Sequence, residues 1–339
     1  MIDIYFEKEY GRLYERAEDG VCETFEYGSD AGKVYHIFIR RRIPVRVDGE
    51  LYYDLVTPYG YGGPVILGCH EGHKRDLIDG FASSFREYCK ANNVVSEFVR
   101  FHPIINNADD FGSLYRIEHI RNTVGTNLKD FGNPFDEEFS KSARQCIRRA
   151  LRAGVECRIV ENPENLDGFK KIYYATMERN VADAYYFFDD DYFAACVKYF
   201  KRNMILAEAV HQERVIAAAL CFVYGRTIHV HLSGTLGDFL ALSPAYVLRY
   251  GVILWGMENG FHLVHHGGGV TNDEADSLYQ FKKRFGKNTE FRFCVGKKVW
   301  NAHVYERLCR VTGVAPSSEG YFPAYRRKVG TNDPATTQS

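Results

Sequence analysis

The sequence predicts an α+β (mixed α/β) protein that contains two repeats, each with a mixed sheet flanked by helices. The chain has 339 residues, which is more than one hydrophobic core usually organises. Its residues are 45% hydrophobic and 15% aromatic, a composition typical of folded rather than disordered chains. Helix-like and strand-like periodicities also follow the same order in both halves of the chain.

The second half has the clearer pattern of elements. Asn162 is a predicted helix cap, Pro244 suits the first turn of a helix, and Gly260 suits the position after its last turn. In order, the pattern predicts a strand at 156–161, helices at 163–180 and 190–202, strands at 204–210, 215–225 and 227–234, a helix at 244–259, a strand at 262–269, a helix at 273–285 and a strand at 289–300.

The first half repeats this order less regularly. It predicts a strand at 2–6, a helix at 8–18, strands at 22–28, 33–45 and 51–58, a helix at 71–92, a strand at 96–103, a short helix at 109–115 and a strand at 116–128. A charged helix at 136–153, stopped by Gly154, joins the halves.

The shared order is that of the GNAT (acyl-CoA N-acyltransferase) topology, and it predicts two tandem GNAT-like domains. The first covers residues 1–135, with the return of residues 301–329 to it as one option. The second covers residues 136–300. Residues 330–339 are polar and contain a proline, and they are predicted to form a disordered tail.

The balance of charges argues against a general polyanion-binding protein. The formal net charge is -1, so no overall field attracts DNA or an anionic membrane, and a polyanion would have to meet a local basic patch. The first residues lack the basic and apolar regions of a signal peptide, and no run of 18 uncharged apolar residues occurs. We therefore expect a cytoplasmic protein without a membrane span.

The first distinctive segment is TPYGYGGPV at residues 57–65. It lies between a predicted strand and a predicted long helix, where backbone N–H groups and a helix amino terminus can receive an anion. An ordinary glycine-rich turn with aromatic packing explains the same residues equally well. Tyr59 and Tyr61 are its candidate binding residues.

The second segment is FSKSARQCIRRALRAGV at residues 139–155. Lys141, Arg144 and Arg148 are spaced by three and four residues, so a helix presents them on one face. Such a face can bind a diphosphate through arginine forks. The alternative is a solvated helix surface, although no acidic residue occurs between residues 141 and 153 to pair with the cations.

The third segment is HHGGGVTNDEADSLYQFKKRFG at residues 265–286. Gly267, Gly268 and Gly269 at a strand end indicate close approach of a ligand or of another part of the backbone. Seven basic residues between positions 282 and 298, among them Lys282 and Arg284, stand against the single acidic Glu290. This excess would suit a phosphate-bearing donor, and a solvated basic edge is the alternative.

The histidines of the second half do not match a known metal-binding spacing. His229 and His231 share a strand face, and a histidine pair at 265–266 lies on the next strand. No metal site is predicted from this pattern. His231 is instead a candidate acid or base that lines a site.

Four segments together resemble the FemABX peptidoglycan aminoacyltransferases and related two-domain GNAT proteins. They are TPYGYGGP, SKSARQCIRRALRAGV, HLSGT followed by LSPAYVL, and GGGVTNDEADSLYQFKKRF, spread over residues 53–285. The resemblance implies aminoacyl transfer from aminoacyl-tRNA to an amine of a cell-wall precursor, without a metal or a permanently bound cofactor. It also implies that tRNA is a partner.

The resemblance also implies roles for particular residues. Lys282 of FKKRF would serve the aminoacyl donor. Lys141, Arg144 and Arg148 would face the diphosphate of the precursor, and tyrosines 59 and 61 would line the acceptor cleft. The chain departs from classical acetyl-CoA enzymes because GTLGDFLALSPAYVL contains no R/QxxGxG/A run.

Two other functions remain open from the sequence. One is an acyl-CoA-dependent GNAT N-acetyltransferase acting on a small amine or a peptide, and the other is a non-catalytic binder of a phosphorylated ligand. Both transfer reactions pass through a tetrahedral oxyanion, which requires alignment of the reactants, a hydrogen-bond donor and a route for the amine proton. Lys282 is the predicted donor, and His231 is the predicted proton route.

Overall fold

A computed structural model describes residues 2–316 and 320–327 of the protein. These residues divide into two compact units. The first unit contains the residues up to Arg121, the segment Val270–Asp273 and the residues from Arg292 onward. The second unit contains Asn122–Gly269 and Glu274–Phe291.

The strands, in chain order, are β1 Gly20–Ser29, β2 Gly32–Arg42, β3 Tyr53–Val56, β4 Val65–Cys69, β5 Val94–Arg100, β6 Arg116–Asn127, β7 Val155–Glu161, β8 Met204–His211, β9 Arg214–Tyr224, β10 Thr227–Thr235, β11 Leu263–Gly267 and β12 Glu290–Val299. The α-helices are α1 Lys8–Arg12, α2 Lys74–Ala91, α3 Asn107–Asp110, α4 Pro134–Glu137, α5 Lys141–Arg152, α6 Asp167–Arg179, α7 Asp190–Phe200, α8 Pro244–Glu258, α9 Ser277–Lys283 and α10 Ala302–Val311.

In the first unit the strands are hydrogen-bonded in the order β1–β2–β3–β5–β12, and β4 pairs with β2. β3 and β5 are parallel, and α2 connects them across one face. Leu77, Phe81, Phe85 and Cys89 repeat every four residues along α2, and all four are buried. This apolar stripe explains why α2 packs on the sheet.

In the second unit the order is β6–β11–β10–β9–β8–β7. β7 to β10 form an antiparallel meander, whereas β10 and β11 are parallel and are connected by α8. Helix α8 begins at Pro244, as predicted from its sequence, and Gly260 with φ of 70° follows its end. The mixed α/β architecture predicted from the sequence is therefore confirmed.

Several predicted elements differ from the structure. The predicted strand at residues 2–6 is wrong, because Ile4–Phe6 form a 3₁₀ turn capped by the Asp3 carboxylate. The predicted helix at 8–18 is α helical only over α1. The glycine-rich segment at 57–65 leads into β4 and not directly into the long helix.

The charged helix predicted at 136–153 is two helices. α4 ends before Ser140, and the Ser140 hydroxyl then accepts a hydrogen bond from the Ala143 N–H and starts α5. The serine competes with helix continuation because its side chain satisfies a backbone donor at the new amino terminus.

β6 and β12 both run through the division between the compact units. The domain boundary proposed at residues 135/136 stays a prediction, and so does the return of residues 301–329. The predicted tail at 330–339 lies outside the described residues. Within the part of the chain that the structure describes, no helix is both long and apolar enough to cross a membrane.

Candidate functional site

The parallel strands β10 and β11 separate soon after they begin. They pair at Thr227↔Leu263, Ile228↔Val264 and His229↔His265, and no later pair occurs between them in the described residues. A bulge between Val230 and Leu232 disturbs the pairing of β10 with β9 immediately beyond this point. The carboxyl ends of diverging parallel strands form a crevice, which is a common ligand site in α/β sheets.

Lys282 lies close to the end of β11. Its Nζ atom donates a hydrogen bond to the Gly268 carbonyl oxygen at 2.5 Å. Phe285 is fully buried and Phe281 packs beside it with ring centroids 5.3 Å apart, so α9 is anchored through its apolar side. The ammonium is therefore held at the strand end by a short, fixed segment of chain.

Backbone geometry requires a glycine at two of these three consecutive positions. Gly267 has a φ of 76°, in the left-handed region that other residues rarely adopt. A Cβ atom at Gly269 would lie 2.5 Å from Asp276 Oδ1, the side chain that caps α9. The left-handed backbone explains Gly267, and close approach of the chain to itself explains Gly269. The Gly268 carbonyl is the one that contacts Lys282.

His231 is the extra residue of the β10 bulge. Its Nε2 atom lies 2.6 Å from the Tyr192 hydroxyl, and its ring is 4.8 Å from that of Phe222. Desolvation, together with the neighbouring His229, lowers the pKa of His231 to about 3. The imidazole is consequently neutral at physiological pH.

The other histidines of these strands have hydroxyl or aromatic neighbours. His265 Nε2 lies 2.9 Å from Thr123 Oγ1, and its ring meets the His229 ring edge to face at 5.6 Å. His266 Nε2 lies 2.8 Å from Thr126 Oγ1. Threonine hydroxyls therefore orient two of these imidazoles.

The basic face predicted on α5 has an acidic neighbour, Asp136. Arg144 Nη1 donates to the Asp136 carbonyl oxygen at 3.0 Å and lies 3.5 Å from its carboxylate. The Arg148 guanidinium stacks over the Phe135 ring, and Lys141 and Arg148 are both exposed. Asp136 lies in α4, outside residues 141–153, where the sequence contains no acidic residue.

The predicted basic patch is partly neutralised. Lys283 Nζ pairs with Glu290 at 2.8 Å, and in the first unit Lys297 pairs with Glu118 at 2.6 Å. Arg284 is exposed and donates a hydrogen bond to the Tyr246 hydroxyl at 2.5 Å. Lys282 and Lys283 thus contact different groups, as their positions on a helix predict.

Tyr59 and Tyr61 belong to the first unit, whereas the other predicted site residues belong to the second. Both are half-buried. The Tyr61 ring contacts the rings of Tyr5, His102 and Phe293 at centroid distances of 5.1 to 5.6 Å. Burial raises the pKa of its hydroxyl well above the ordinary value. The aromatic-packing interpretation of this segment therefore accounts for Tyr61.

The sequence interpretation missed Arg249 on α8. This residue is only 5% exposed, and burial lowers its pKa to about 10, which still leaves it charged at neutral pH. A signal was present in the sequence, because Leu248 and Val252 flank it in an apolar helix whose inward face otherwise has no charge. An arginine at such a position indicates a buried cation.

Comparisons with known proteins agree with this architecture. Residues 137–283 match the model of a family described as an acetyltransferase (GNAT) domain. A UDP-N-acetylmuramoylpentapeptide-lysine N(6)-alanyltransferase of Weissella viridescens is 25% identical, with 77% of this chain and 81% of that protein covered.

Two solved structures share the fold. FemX has a TM-score of 0.65 at 13% identity and covers 90% of this chain and 94% of its own. L-PGS from Bacillus licheniformis has a TM-score of 0.53 at 13% identity and covers 92% of this chain and 98% of its own. These structural matches and the family model confirm the predicted GNAT-like fold. The family model and the alanyltransferase relative confirm the acyltransferase class.

Proposed function

We propose that this chain, a FemABX-like protein of the GNAT superfamily, transfers an aminoacyl group from aminoacyl-tRNA to an amine of a peptidoglycan precursor. The observation that carries the proposal is the placement of Lys282 at the end of β11, beside the divergence of β10 and β11. The similarity to the Weissella viridescens alanyltransferase over most of both chains supports the choice of substrates.

The reaction requires a neutral amine to attack the ester carbonyl of the donor. The tetrahedral intermediate carries a negative oxygen, which a fixed ammonium stabilises more strongly than it stabilises the uncharged carbonyl. Lys282 is suited to this role because Gly268 and the buried Phe285 fix its position before substrate binds. The 3′-oxygen of the tRNA then leaves as the intermediate collapses to the amide, and it takes up the proton that the amine loses.

The attacking amine must also lose a proton. In this proposal His231 and the Tyr192 hydroxyl form the proton route, because they are hydrogen-bonded at the bulge of β10. The low pKa of His231 means that the imidazole would relay a proton and not store one at neutral pH.

Substrate binding is assigned to three groups of residues. Lys141, Arg144 and Arg148 would bind the precursor diphosphate, and Tyr59 and Tyr61 would contact the acceptor. Gly267, Gly268, Gly269 and Arg284 would adjoin the donor. No permanently bound cofactor takes part, since the aminoacyl-tRNA is a co-substrate.

A donor competition experiment tests the proposal. The purified protein would be incubated with UDP-linked pentapeptide precursor and each of the aminoacyl-tRNAs, and in parallel with several acyl-CoAs. We expect an amide product, detected by mass spectrometry, only with one or a few aminoacyl-tRNAs. Amide formation from acyl-CoA alone would instead establish an N-acyltransferase of the acetyltransferase type. Tight binding of a phosphorylated ligand without any product would indicate a non-catalytic binder.

A further inference from the structure

Arg249 is a buried cation without a counter-charge. Its side chain makes no hydrogen bond or ion pair with any described residue, and its Nε atom is closed off from solvent without a partner. A buried charge of this kind is costly to the folded protein unless a partner compensates it. The protein therefore carries, in the state described, an uncompensated positive group inside its second unit.

The surroundings of Arg249 place it at the divergence of β10 and β11. Its charge acts on Cys221 and on His266. The last pair between β10 and β11 is His229↔His265. The next residue on β10, Val230, pairs with Cys221 of β9, and the next residue on β11 is His266. The neighbours of Arg249 on α8, Leu248 and Val252, pack in one hydrophobic cluster with Cys221, Ile228 and Val264. Arg249 therefore lies beside the strands where they stop pairing with each other.

His266 offers a second unpartnered group at the same place. The Thr126 hydroxyl donates to the Phe285 carbonyl oxygen at 2.7 Å, because a carbonyl can only accept. Its single proton is then used, so Thr126 accepts the hydrogen bond from His266 Nε2–H. Burial and the charges of Arg249 and Lys282 lower the pKa of His266, which keeps the ring neutral. His266 Nδ1 is consequently a buried acceptor without a partner.

The two groups together select the chemistry of a ligand. A guanidinium binds a carboxylate through two parallel hydrogen bonds, and a neutral Nδ1 accepts one from an N–H. An amino-acid residue supplies both groups next to each other. An internal phosphodiester or diphosphate is a poorer fit, because chain continues on both of its sides and Arg249 is only 5% exposed.

We propose that Arg249 and His266 form a carboxylate subsite at the divergence of β10 and β11, which binds an amino-acid carboxylate of one of the two substrates. This inference rests on the proposed function. The carboxylate has two possible sources: the side chain of an acidic aminoacyl donor, or a carboxylate of the acceptor peptide. Arg249 would then determine specificity, while Lys282 acts on the reacting carbonyl.

Binding measurements with matched pairs of ligands test the subsite and separate the sources. For the donor, calorimetry would compare 3′-aspartylamido and 3′-glutamylamido adenosine with their asparaginyl and glutaminyl counterparts. For the acceptor, it would compare the pentapeptide precursor with a free and with an amidated terminal carboxylate. We expect the charged member of one pair to bind at least about tenfold more tightly than its neutral counterpart.

Two variants test whether Arg249 causes the preference for the charged ligand. The preference should disappear in Arg249→Met and persist in Lys283→Met, which removes the same charge from the pair with Glu290. The proposal is wrong if neither ligand pair shows a preference, or if the preference survives in Arg249→Met. These outcomes are independent of turnover: an acidic preference without any amide product would refute the proposed function and leave the subsite.

Discussion

Each unit contains two parallel strands joined by a crossover that includes a helix, and the two crossovers differ at the ends of those strands. In the first unit β3 and β5 pair in parallel through Val56↔Phe98, and the chain then stays attached to β5. The Thr57 N–H donates to the Phe98 carbonyl oxygen at 3.2 Å, and the Gly62 N–H donates to that of Arg100 at 2.7 Å. In the second unit β10 and β11 separate after three pairs.

Two equally buried arginines show the consequence. Arg100 and Arg249 are each 5% exposed. Arg100 Nη1 donates to the Thr57 carbonyl oxygen at 2.9 Å, and its Nη2 lies 3.9 Å from Glu18. Arg249 has no such partner in the described residues. In the first unit, groups of the chain itself contact the buried arginine. In the second unit, Arg249 Nε and His266 Nδ1 have no partner in the described residues, and the proposed ligand would contact these two side chains.

The largest expected effect concerns Lys282 and Lys283. Lys282→Met should lower turnover by on the order of a hundredfold or more, with little change in precursor binding, because the ammonium acts on charge that develops only in the transition state. Single-turnover kinetics with saturating aminoacyl-tRNA would measure it. Lys283→Met is the control. Equal losses in the two variants would show that the basic segment acts only by general attraction.

The second prediction compares the two buried arginines directly. Arg100→Met should lower the free energy of unfolding by about 2 kcal/mol or more, because it leaves the buried Thr57 carbonyl without its donor and removes a cation close to Glu18. Arg249→Met should leave it unchanged or raise it, since the substitution removes an uncompensated buried charge. Thermal denaturation of both variants without ligand would decide this. A similar loss in both would mean that Arg249 has a structural partner.

The third prediction concerns the exposed cations of α5. Substituting Lys141 and Arg148 together by Gln should raise the KM for the UDP-linked precursor by about threefold to tenfold, with the loss reduced at high salt. The control is Arg152→Gln, an exposed cation at the end of the same helix. A precursor without the diphosphate should show no difference between these variants. An equal effect on both precursors would contradict diphosphate binding by this face.

The smallest expected effect is the pH dependence contributed by His231. Its pKa is about 3 in the folded protein, against an ordinary value of 6.5. Between these values the unfolded chain binds a proton that the folded chain does not, so stability falls as the pH decreases from 6.5 toward 3. In His231→Gln the melting temperature should fall less between about pH 7 and about pH 5. Parallel curves for both proteins would exclude this contribution, whereas Tyr192→Phe should keep most of it because desolvation is the larger cause.

Much of the fold could be predicted from local patterns. The elements from β7 to β12 were all predicted with their order, and the proline and glycine signals marked the ends of α8 correctly. Residues 2–6 were predicted wrongly, because an alternating apolar run is compatible with a strand and with a capped turn. The Asp3 carboxylate accepts a backbone hydrogen bond from Tyr5, which stabilises the turn. The candidate site could be predicted only in part: Lys282 lies in the recognisable FKKRF segment, whereas the apolar sequence around Arg249 indicates a buried cation but not what it contacts.

The sequence by itself determined the helices and strands from β7 to β12, the orientation of Lys282 away from Lys283, and the resemblance to FemABX proteins. These properties depend on residues a few positions apart. Only the tertiary structure shows where β10 and β11 stop pairing and that Arg144 contacts Asp136. It also shows that Arg100 has hydrogen-bonding partners for its guanidinium, whereas Arg249 has none in the described residues. The partners in those cases come from separate elements, and only the folded chain fixes whether a buried charge meets a counter-charge.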